Sequence, residues 1–316
     1  MSSPSANPLT TTELAPARPI SKFGKYGHKL NLRGNIGGVN ALKATGDGRY
    51  LAAGGMYGLA IWDSANGHQV KAPTAWSVDA RGAVTTLLWI EGTSTKAYVL
   101  FVGTAKGRVS VFVSREGSTT EIRFLEKFIA CLLIPGECEV TSAAFDPPSG
   151  RLALCVRGGV VVVLNYNVDD YQLEILHYID FTGLGQKLLP KAIMFGAFAD
   201  RNRPGVMKDM AVFSMYGGDV IIFRGERSEL IREWNVGGII GNAVCEGREI
   251  VIDEPSIGPI LFQGQTAVMS WKVPVTRRKR PRGVAFSPDG RFIVSGSDHG
   301  IVYLFDREGN STGAVD

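Results

Sequence analysis

The sequence predicts an all-β fold made of repeated units, and three observations carry this prediction. A pattern of three apolar runs recurs, with sharp copies at residues 39–63, 140–165 and 281–306. The runs are only strand-long and are rich in β-branched and aromatic residues. No long amphipathic helix interrupts them, because the candidate at 228–234 is too short to outweigh the strand pattern. Self-similarity at a fixed period is the signature of a repeat architecture.

Tight turns separate the apolar runs within each copy. Asp47-Gly48 and Asp289-Gly290 favour turns, because Gly accepts a positive φ and Asp bonds its own backbone. The spacing from the turn glycine to the bulky anchor of the third run is 14 or 15 residues in all three copies. The three glycine–anchor pairs are Gly48–Trp62, Gly150–Leu164 and Gly290–Phe305.

Weaker copies fill the middle of the chain, at 84–113, 192–223 and 239–273. The spacing between units is 44 to 56 residues, which starts at the ~40–45 residues of a propeller blade and lengthens as loop insertions would make it. A fourth strand is expected in each unit, for example at 121–130 and 173–180. The six units begin near Gly38, Gly82, Cys138, Pro190, Gly238 and Arg282.

The last copy resembles the WD40 repeat family. Residues 283–300 read GVAFSPDGRFIVSGSDHG, close to the core motif of that family, and Phe305 stands in its usual Trp place. Trp62-Asp63 is the family's Trp-Asp ending as it stands. The resemblance covers about 38–306 and implies an all-β β-propeller of about six four-stranded blades. A seven-bladed relative with one degenerate or missing blade is the alternative.

The hydrogen-bonded His, Asp and Trp set of that family is incomplete in every repeat. The first repeat has His28 and Trp62, but Met56-Tyr57 stands where its turn Asp belongs. In the last repeat Asp298 matches the turn Asp, yet no His precedes it at the usual place. These departures weaken the expected network and leave the propeller prediction intact.

The sequence predicts one domain and a tail. Residues 1–20 are rich in Ser, Thr, Pro and Ala and lack an apolar core segment, which is typical of a disordered tail and not of a secretory signal. Residues 21–316 are expected to form a single WD40-like propeller. The stretch 26–32 is predicted to supply the outer strand of the last blade, because closing the ring removes exposed strand edges.

Composition excludes several functional classes. A net charge of +4 over 316 residues is mild for a nucleic-acid binder, and no apolar stretch approaches the ~20 residues that a membrane helix needs. The chain is therefore expected in the cytoplasm, the nucleus or both, with neither membrane nor nucleic acid as its main partner. Its cysteines fit no zinc or disulfide pattern and are expected to be reduced and mostly core-packed. They are Cys131, Cys138, Cys155 and Cys245.

No catalytic, cofactor-binding or metal site is predicted. Ser297-Asp298-His299 has the residue types of a triad, but adjacent residues in a tight turn point in different directions. Asp253-Glu254 is interpreted as a solvated turn. The expected function is a non-catalytic scaffold or adaptor that binds other proteins, as a monomeric propeller within a complex. A propeller hydrolase or oxidoreductase is the less favoured alternative.

Two sets of residues are candidates for binding a partner. In WD40 propellers the turns between the second and third strands share one face with the links between blades, and Tyr and Met are favoured at contact surfaces. The first set comprises Met56, Tyr57, Arg81, Lys106, Arg157, Met215, Tyr216, Arg282 and His299. The second set, the basic loop, comprises Arg277, Arg278, Lys279, Arg280 and Arg282. It is interpreted either as a solvated loop between blades or as a functional patch, which could be a nuclear-import signal, a phosphate-contacting patch or a dock for an acidic partner. A nuclear or chromatin-associated adaptor that uses this loop is the alternative function.

Overall fold

The computed structural model is all-β and describes most of the chain. The described ranges are 32–34, 36–70, 76–90, 97–116, 122–131, 138–167, 170–182, 188–198, 208–275, 279–308 and 312–315. Within them the chain forms six four-stranded antiparallel sheets and one four-residue helix. In these ranges no helix has the length and hydropathy needed to span a membrane. The predicted fold class and the number of six blades are confirmed.

The first three blades follow the chain order without crossovers. Blade 1 contains β1 (Val39–Ala44), β2 (Tyr50–Gly55), β3 (Gly58–Asp63) and β4 (Gln69–Val70), and helix α1 (Val78–Arg81) follows it. Blade 2 contains β5 (Val84–Ile90), β6 (Val99–Thr104), β7 (Arg108–Glu116) and β8 (Ile122–Cys131). Blade 3 contains β9 (Val140–Asp146), β10 (Arg151–Val156), β11 (Val160–Asn167) and β12 (Gln172–Asp180).

The last three blades repeat the same order. Blade 4 contains β13 (Pro190–Gly196), β14 (Asp209–Ser214), β15 (Asp219–Arg224) and β16 (Glu229–Asn235). Blade 5 contains β17 (Asn242–Glu246), β18 (Glu249–Glu254), β19 (Gly258–Gln263) and β20 (Thr266–Ser270). Blade 6 contains β21 (Val284–Phe286), β22 (Phe292–Ser295), β23 (Val302–Asp306) and β24 (Thr312–Val315). Each blade begins within four residues of its predicted start.

The outer strand of blade 6 comes from the C-terminus. β24 pairs with β23 in antiparallel register, from Phe305↔Thr312 to Val302↔Val315. The prediction that residues 26–32 supply this strand is therefore wrong. The ten residues after Asp306 are long enough for a turn and a short strand at about 3.3 Å per residue. Residues 26–31 and the predicted tail at 1–20 lie outside the described residues.

The apolar core lies between the blades. The second strands β6 and β10 are buried along their whole length, because neighbouring blades cover both of their faces. The outer strand β12 contains only half-buried and exposed residues. Burying both faces explains why the inner strands are continuous apolar runs such as 160–164 and do not alternate in polarity.

Three of the four cysteines belong to the described residues with described side chains, and all three are free thiols. Cys155 is fully buried in the cluster between blades 3 and 4. Burial raises the pKa of Cys155, and burial raises the pKa of Cys245 to about 11. Both are therefore protonated at neutral pH, so they pack as small apolar groups and not as nucleophiles.

Candidate partner-binding face

In each blade one backbone hydrogen bond connects the link that enters the blade to the turn between the second and third strands or, in blade 5, to the end of the second strand. We call this turn the b–c turn, and we call the surface made by the b–c turns and links the turn face. The six bonds measure 2.8–3.0 Å. They are Tyr57 N–Ile36 O, Ala105 N–Ala83 O, Arg157 N–Glu139 O, Met215 N–Leu189 O, Gly241 N–Asp253 O and Gly296 N–Gly283 O. The b–c turns and links therefore share one face, as the family resemblance implies.

Close backbone packing pushes the side chains at the b–c turn of blade 1 outward. A Cβ atom at Gly55 would meet the carbonyl oxygens of Gly38 and Ile36, so only glycine fits there. The two-residue tip that follows, Met56-Tyr57, leaves both side chains more than half exposed. Large apolar side chains on a fixed backbone are the usual anchors of protein interfaces.

The b–c turn of blade 4 presents a second aromatic residue. Gly217 and Gly218 have φ values of +85° and +74°, which glycine accepts without strain. The Ser214 hydroxyl donates to the carbonyl of Tyr216 at 2.8 Å and braces the turn. The Tyr216 side chain is more than half exposed, whereas Met215 is half-buried.

Blade 5 adds an exposed apolar residue that the sequence analysis missed. Ile257 lies at the tip of its b–c turn and is exposed. Its backbone N–H donates to the carbonyl of Glu254 at 3.0 Å, and its own carbonyl accepts from Val273 at 2.9 Å. In the sequence, the apolar residue directly before Gly258 is the signal that could have indicated an exposed turn tip here.

Two basic candidates are engaged with the link after blade 1. The Arg81 guanidinium donates to both carboxylate oxygens of Glu126, at 2.6 and 2.9 Å, and lies 5.0 Å from the Trp76 ring. The Lys106 ammonium donates to the carbonyl of Asp79 at 2.8 Å. Both side chains are half-buried, and these contacts fix the link on the turn face.

Arg157 is the exposed basic residue of blade 3's b–c turn. Its guanidinium lies 2.5 Å from the Glu139 carboxylate, but the arginine side chain is largely exposed. An exposed ion pair of this kind contributes ~1 kcal/mol or less. Arg157 can therefore exchange this carboxylate for one on a partner at little cost.

His299 forms part of a hairpin turn. Its Nε2 lies 2.9 Å from the Tyr303 hydroxyl and its Nδ1 lies 3.3 Å from the Asp298 carboxylate. The Ser297 hydroxyl oxygen instead accepts a bond from the backbone N–H of Ile301 at 2.9 Å. These contacts do not form a Ser–His relay. Among the residues that the structure describes, no group of three or more His, Cys, Asp and Glu side chains can hold a metal ion.

Arg282 differs from the other candidates because it is buried. Its Nε donates to Asp253 at 2.9 Å, its backbone N–H donates to the second oxygen of Asp253 at 2.7 Å, and an Nη donates to the carbonyl of Glu254 at 2.7 Å. The Asp253 side chain is fully buried, so the interpretation of Asp253-Glu254 as a solvated turn is wrong. Arg282 joins blade 5 to blade 6 and is not available to a partner.

The basic loop is therefore divided. Lys279 and Arg280 are exposed on the link into blade 6, whereas Arg282 is buried at its end. Arg277 and Arg278 lie outside the described residues. Five cations within six residues predict exposure for all five side chains. Only the position of Asp253 in the fold distinguishes the buried Arg282 from the others.

A family model described as "WD domain, G-beta repeat" matches residues 278–306. This range covers the end of the link and the first three strands of blade 6. The resemblance that the sequence shows to WD40 repeats is confirmed there. No curated protein matches the sequence.

Solved structures share the fold at low sequence identity. The crystal structure of Chaetomium thermophilum Raptor matches with a TM-score of 0.65 and 10% identity, over 90% of this chain and 25% of that chain. A chain of the crystal structure of the Mitotic Checkpoint Complex matches with a TM-score of 0.60 and 15% identity, over 83% of this chain and 72% of that chain. This chain thus spans a quarter of the Raptor chain. Because 1393 chains match, the likeness identifies a fold and not a partner.

Proposed function

We propose that this WD40-type propeller is a non-catalytic scaffold that binds other proteins on its turn face. The observation that carries the proposal is the set of large apolar side chains held exposed on that face. Met56, Tyr57 and Tyr216 are each more than half exposed at b–c turns. One structural neighbour is a chain of the Mitotic Checkpoint Complex, which supports protein partners for this chain as well.

The rigidity of the turn face favours binding. The hydrogen bonds that tie each b–c turn to a link hold the tips in place before any partner arrives. Preorganised side chains lose less conformational entropy on binding, so more of the contact energy appears as affinity. Tyr57 and Tyr216 lie three blades apart, so the two tips serve either one partner that spans the face or two smaller partners.

The double variant Tyr57→Ala/Tyr216→Ala tests the proposal. Loss of a tyrosine anchor costs about 2 kcal/mol, which is about thirty-fold in affinity for each site. Affinity capture from the native cell, followed by quantitative mass spectrometry, is expected to show the corresponding loss of bound proteins. Arg282 stays unchanged in this variant, since its removal would test stability and not binding.

Tyr178→Ala is the matched control for this experiment. Tyr178 is an exposed tyrosine on β12, the outer strand of blade 3, and does not belong to any of the six b–c turns. Its variant is expected to recover every partner at the wild-type level. Unchanged recovery with the double variant would overturn the role of the turn face.

A nuclear adaptor is the second candidate, and the exposure of Lys279 and Arg280 favours it. If the basic loop is an import signal, a fluorescent fusion of Arg277→Ala/Arg278→Ala/Lys279→Ala/Arg280→Ala moves from the nucleus to the cytoplasm. Short clusters of Lys and Arg act in this way only where a receptor can reach them. An unchanged nuclear fraction would remove this candidate and leave the scaffold proposal in place.

A further inference from the structure

The junction between blades 6 and 1, here called the seam, differs from the other five junctions. Each of those five is filled by an apolar cluster that draws residues from two consecutive blades. Among the described residues, none of the clusters joins blade 6 to blade 1. The remaining cluster, with Ala53, Ala60 and Trp62, belongs to blade 1 and the segment that enters it.

The seam wall on blade 1 carries two exposed apolar residues. The pairing of β1 with β2 and that of β5 with β6 have the same register and the same bulge, so Val39 and Leu42 correspond to Val84 and Leu87. Val84 and Leu87 are 0% and 2% exposed, because blade 1 covers them. Val39 and Leu42 are 59% and 55% exposed.

The seam wall on blade 6 shows the same difference. Val302 is 40% exposed, whereas the corresponding third-strand residues Val161 and Val220 are 0% exposed. Val294, at the centre of β22, is half-buried, while Ala153 at the same place in blade 3 is fully buried. Both walls of the seam therefore present apolar surface that a neighbouring blade covers at the other junctions.

The N-terminal segment enters the ring along this seam. Leu32 and Ile36 pack against Ala53, Ala60 and Trp62, on the face of blade 1 that is turned away from blade 2. The Trp62 indole N–H donates to the carbonyl of Arg33 at 3.2 Å. A Cβ atom at Gly34 would lie 2.9 Å from the Trp62 ring. Leu32, where the described chain begins, thus lies against the blade 1 wall of the seam and is the tether to which residues 1–31 are covalently attached.

We infer that the seam is an apolar slot and that residues 20–31 of the same chain occupy it. This segment, ISKFGKYGHKLN, carries four large apolar residues among cations and small residues. The tether makes docking intramolecular, so the segment acts at a high effective concentration without a second molecule. The slot is distinct from the outer edge of blade 6, which β24 covers. The four residues are Ile20, Phe23, Tyr26 and Leu30.

A double-mutant cycle in the full chain tests this inference. If residues 20–31 cover Leu42, then Leu42→Asp buries a charge and lowers the equilibrium constant for folding by about ten-fold or more. In the background Phe23→Asp/Tyr26→Asp the slot is empty, and the same substitution on an exposed leucine costs about two-fold or less. Urea unfolding of the four proteins measures both steps. Leu230→Asp, at an exposed leucine on β16, is the matched control and is expected to be mild in both backgrounds.

Each outcome of these measurements either supports or contradicts the docking of residues 20–31 in the seam. An equally mild effect of Leu42→Asp in both backgrounds overturns the inference. An equally large effect in both backgrounds also overturns it, because something other than residues 20–31 then covers Leu42. Light scattering that shows a dimer dissociated by Leu42→Asp identifies a second copy as the occupant. Should Leu42→Asp not fold, Leu42→Thr gives the same cycle with smaller steps.

Discussion

Arg282→Ala is expected to lower the free energy of unfolding by about 3–5 kcal/mol, as removal of one partner from a buried ion pair does. The Arg282 side chain is 5% exposed and its partner Asp253 is fully buried. Without the guanidinium, the Asp253 carboxylate remains in the interior with its charge uncompensated. The carbonyl of Glu254 also loses a donor. Urea unfolding monitored by tryptophan fluorescence measures the change.

Arg280→Ala is the matched control, because it removes the same side chain from the exposed part of the same link. A surface substitution of this kind is expected to change the stability by about 0.5 kcal/mol or less. A mild effect of Arg282→Ala on unfolding, combined with a loss of captured partners, would contradict the role of Arg282 in joining blades 5 and 6. It would indicate instead that Arg282 binds a partner.

Phe305→Ala is expected to cost about 3–5 kcal/mol, as for other buried phenylalanines. Phe305 stands in the family's usual Trp place and is 1% exposed. Its ring stacks on Trp271 of the link from blade 5, with centroids 5.6 Å apart, and on Tyr303 at 6.0 Å. Truncation removes both stacking contacts and leaves a cavity between blades 5 and 6.

Val268→Ala provides the comparison for Phe305→Ala. Val268 is an exposed apolar residue on β20, the outer strand of blade 5. Its truncation is expected to cost less than ~1 kcal/mol, because it loses mainly strand propensity. If Phe305→Ala unfolds at the same urea concentration as Val268→Ala, the anchor role assigned to Phe305 does not hold.

The blades were predictable because their determinants are local. Turn dipeptides such as Asp47-Gly48 and the strand-long apolar runs act over a few residues. Because the pattern recurs, the sharp copies support the assignment of the weaker ones. The anchor Phe305 was likewise identified by its spacing from the turn glycine, and in the structure it stacks on Trp271 of the link from blade 5. The exposure of Tyr57 and Tyr216 followed from their places at turn tips.

The errors concern contacts that no local pattern encodes. The burial of Arg282 depends on Asp253, which is 29 residues earlier in the chain. The outer strand of blade 6 comes from residues that follow β23 closely in the chain and not from the stretch at 26–32, and no local pattern in either stretch distinguishes the two. The contrast between Val39 and Val84 depends on what stands beside each blade, which a single repeat cannot show.

The placement of apolar clusters between consecutive blades also determines how the molecule loses its structure. Stability in such an array is approximately a sum of unit terms and nearest-neighbour coupling terms. Blades 2 to 5 each have two apolar couplings, whereas blades 1 and 6 have one each among the described clusters. Among the described residues the apolar couplings thus form a linear series with two ends, which residues 20–31 join only while they occupy the seam. Opening by fraying begins at those ends, and blades 3 and 4 form the most persistent part of the molecule.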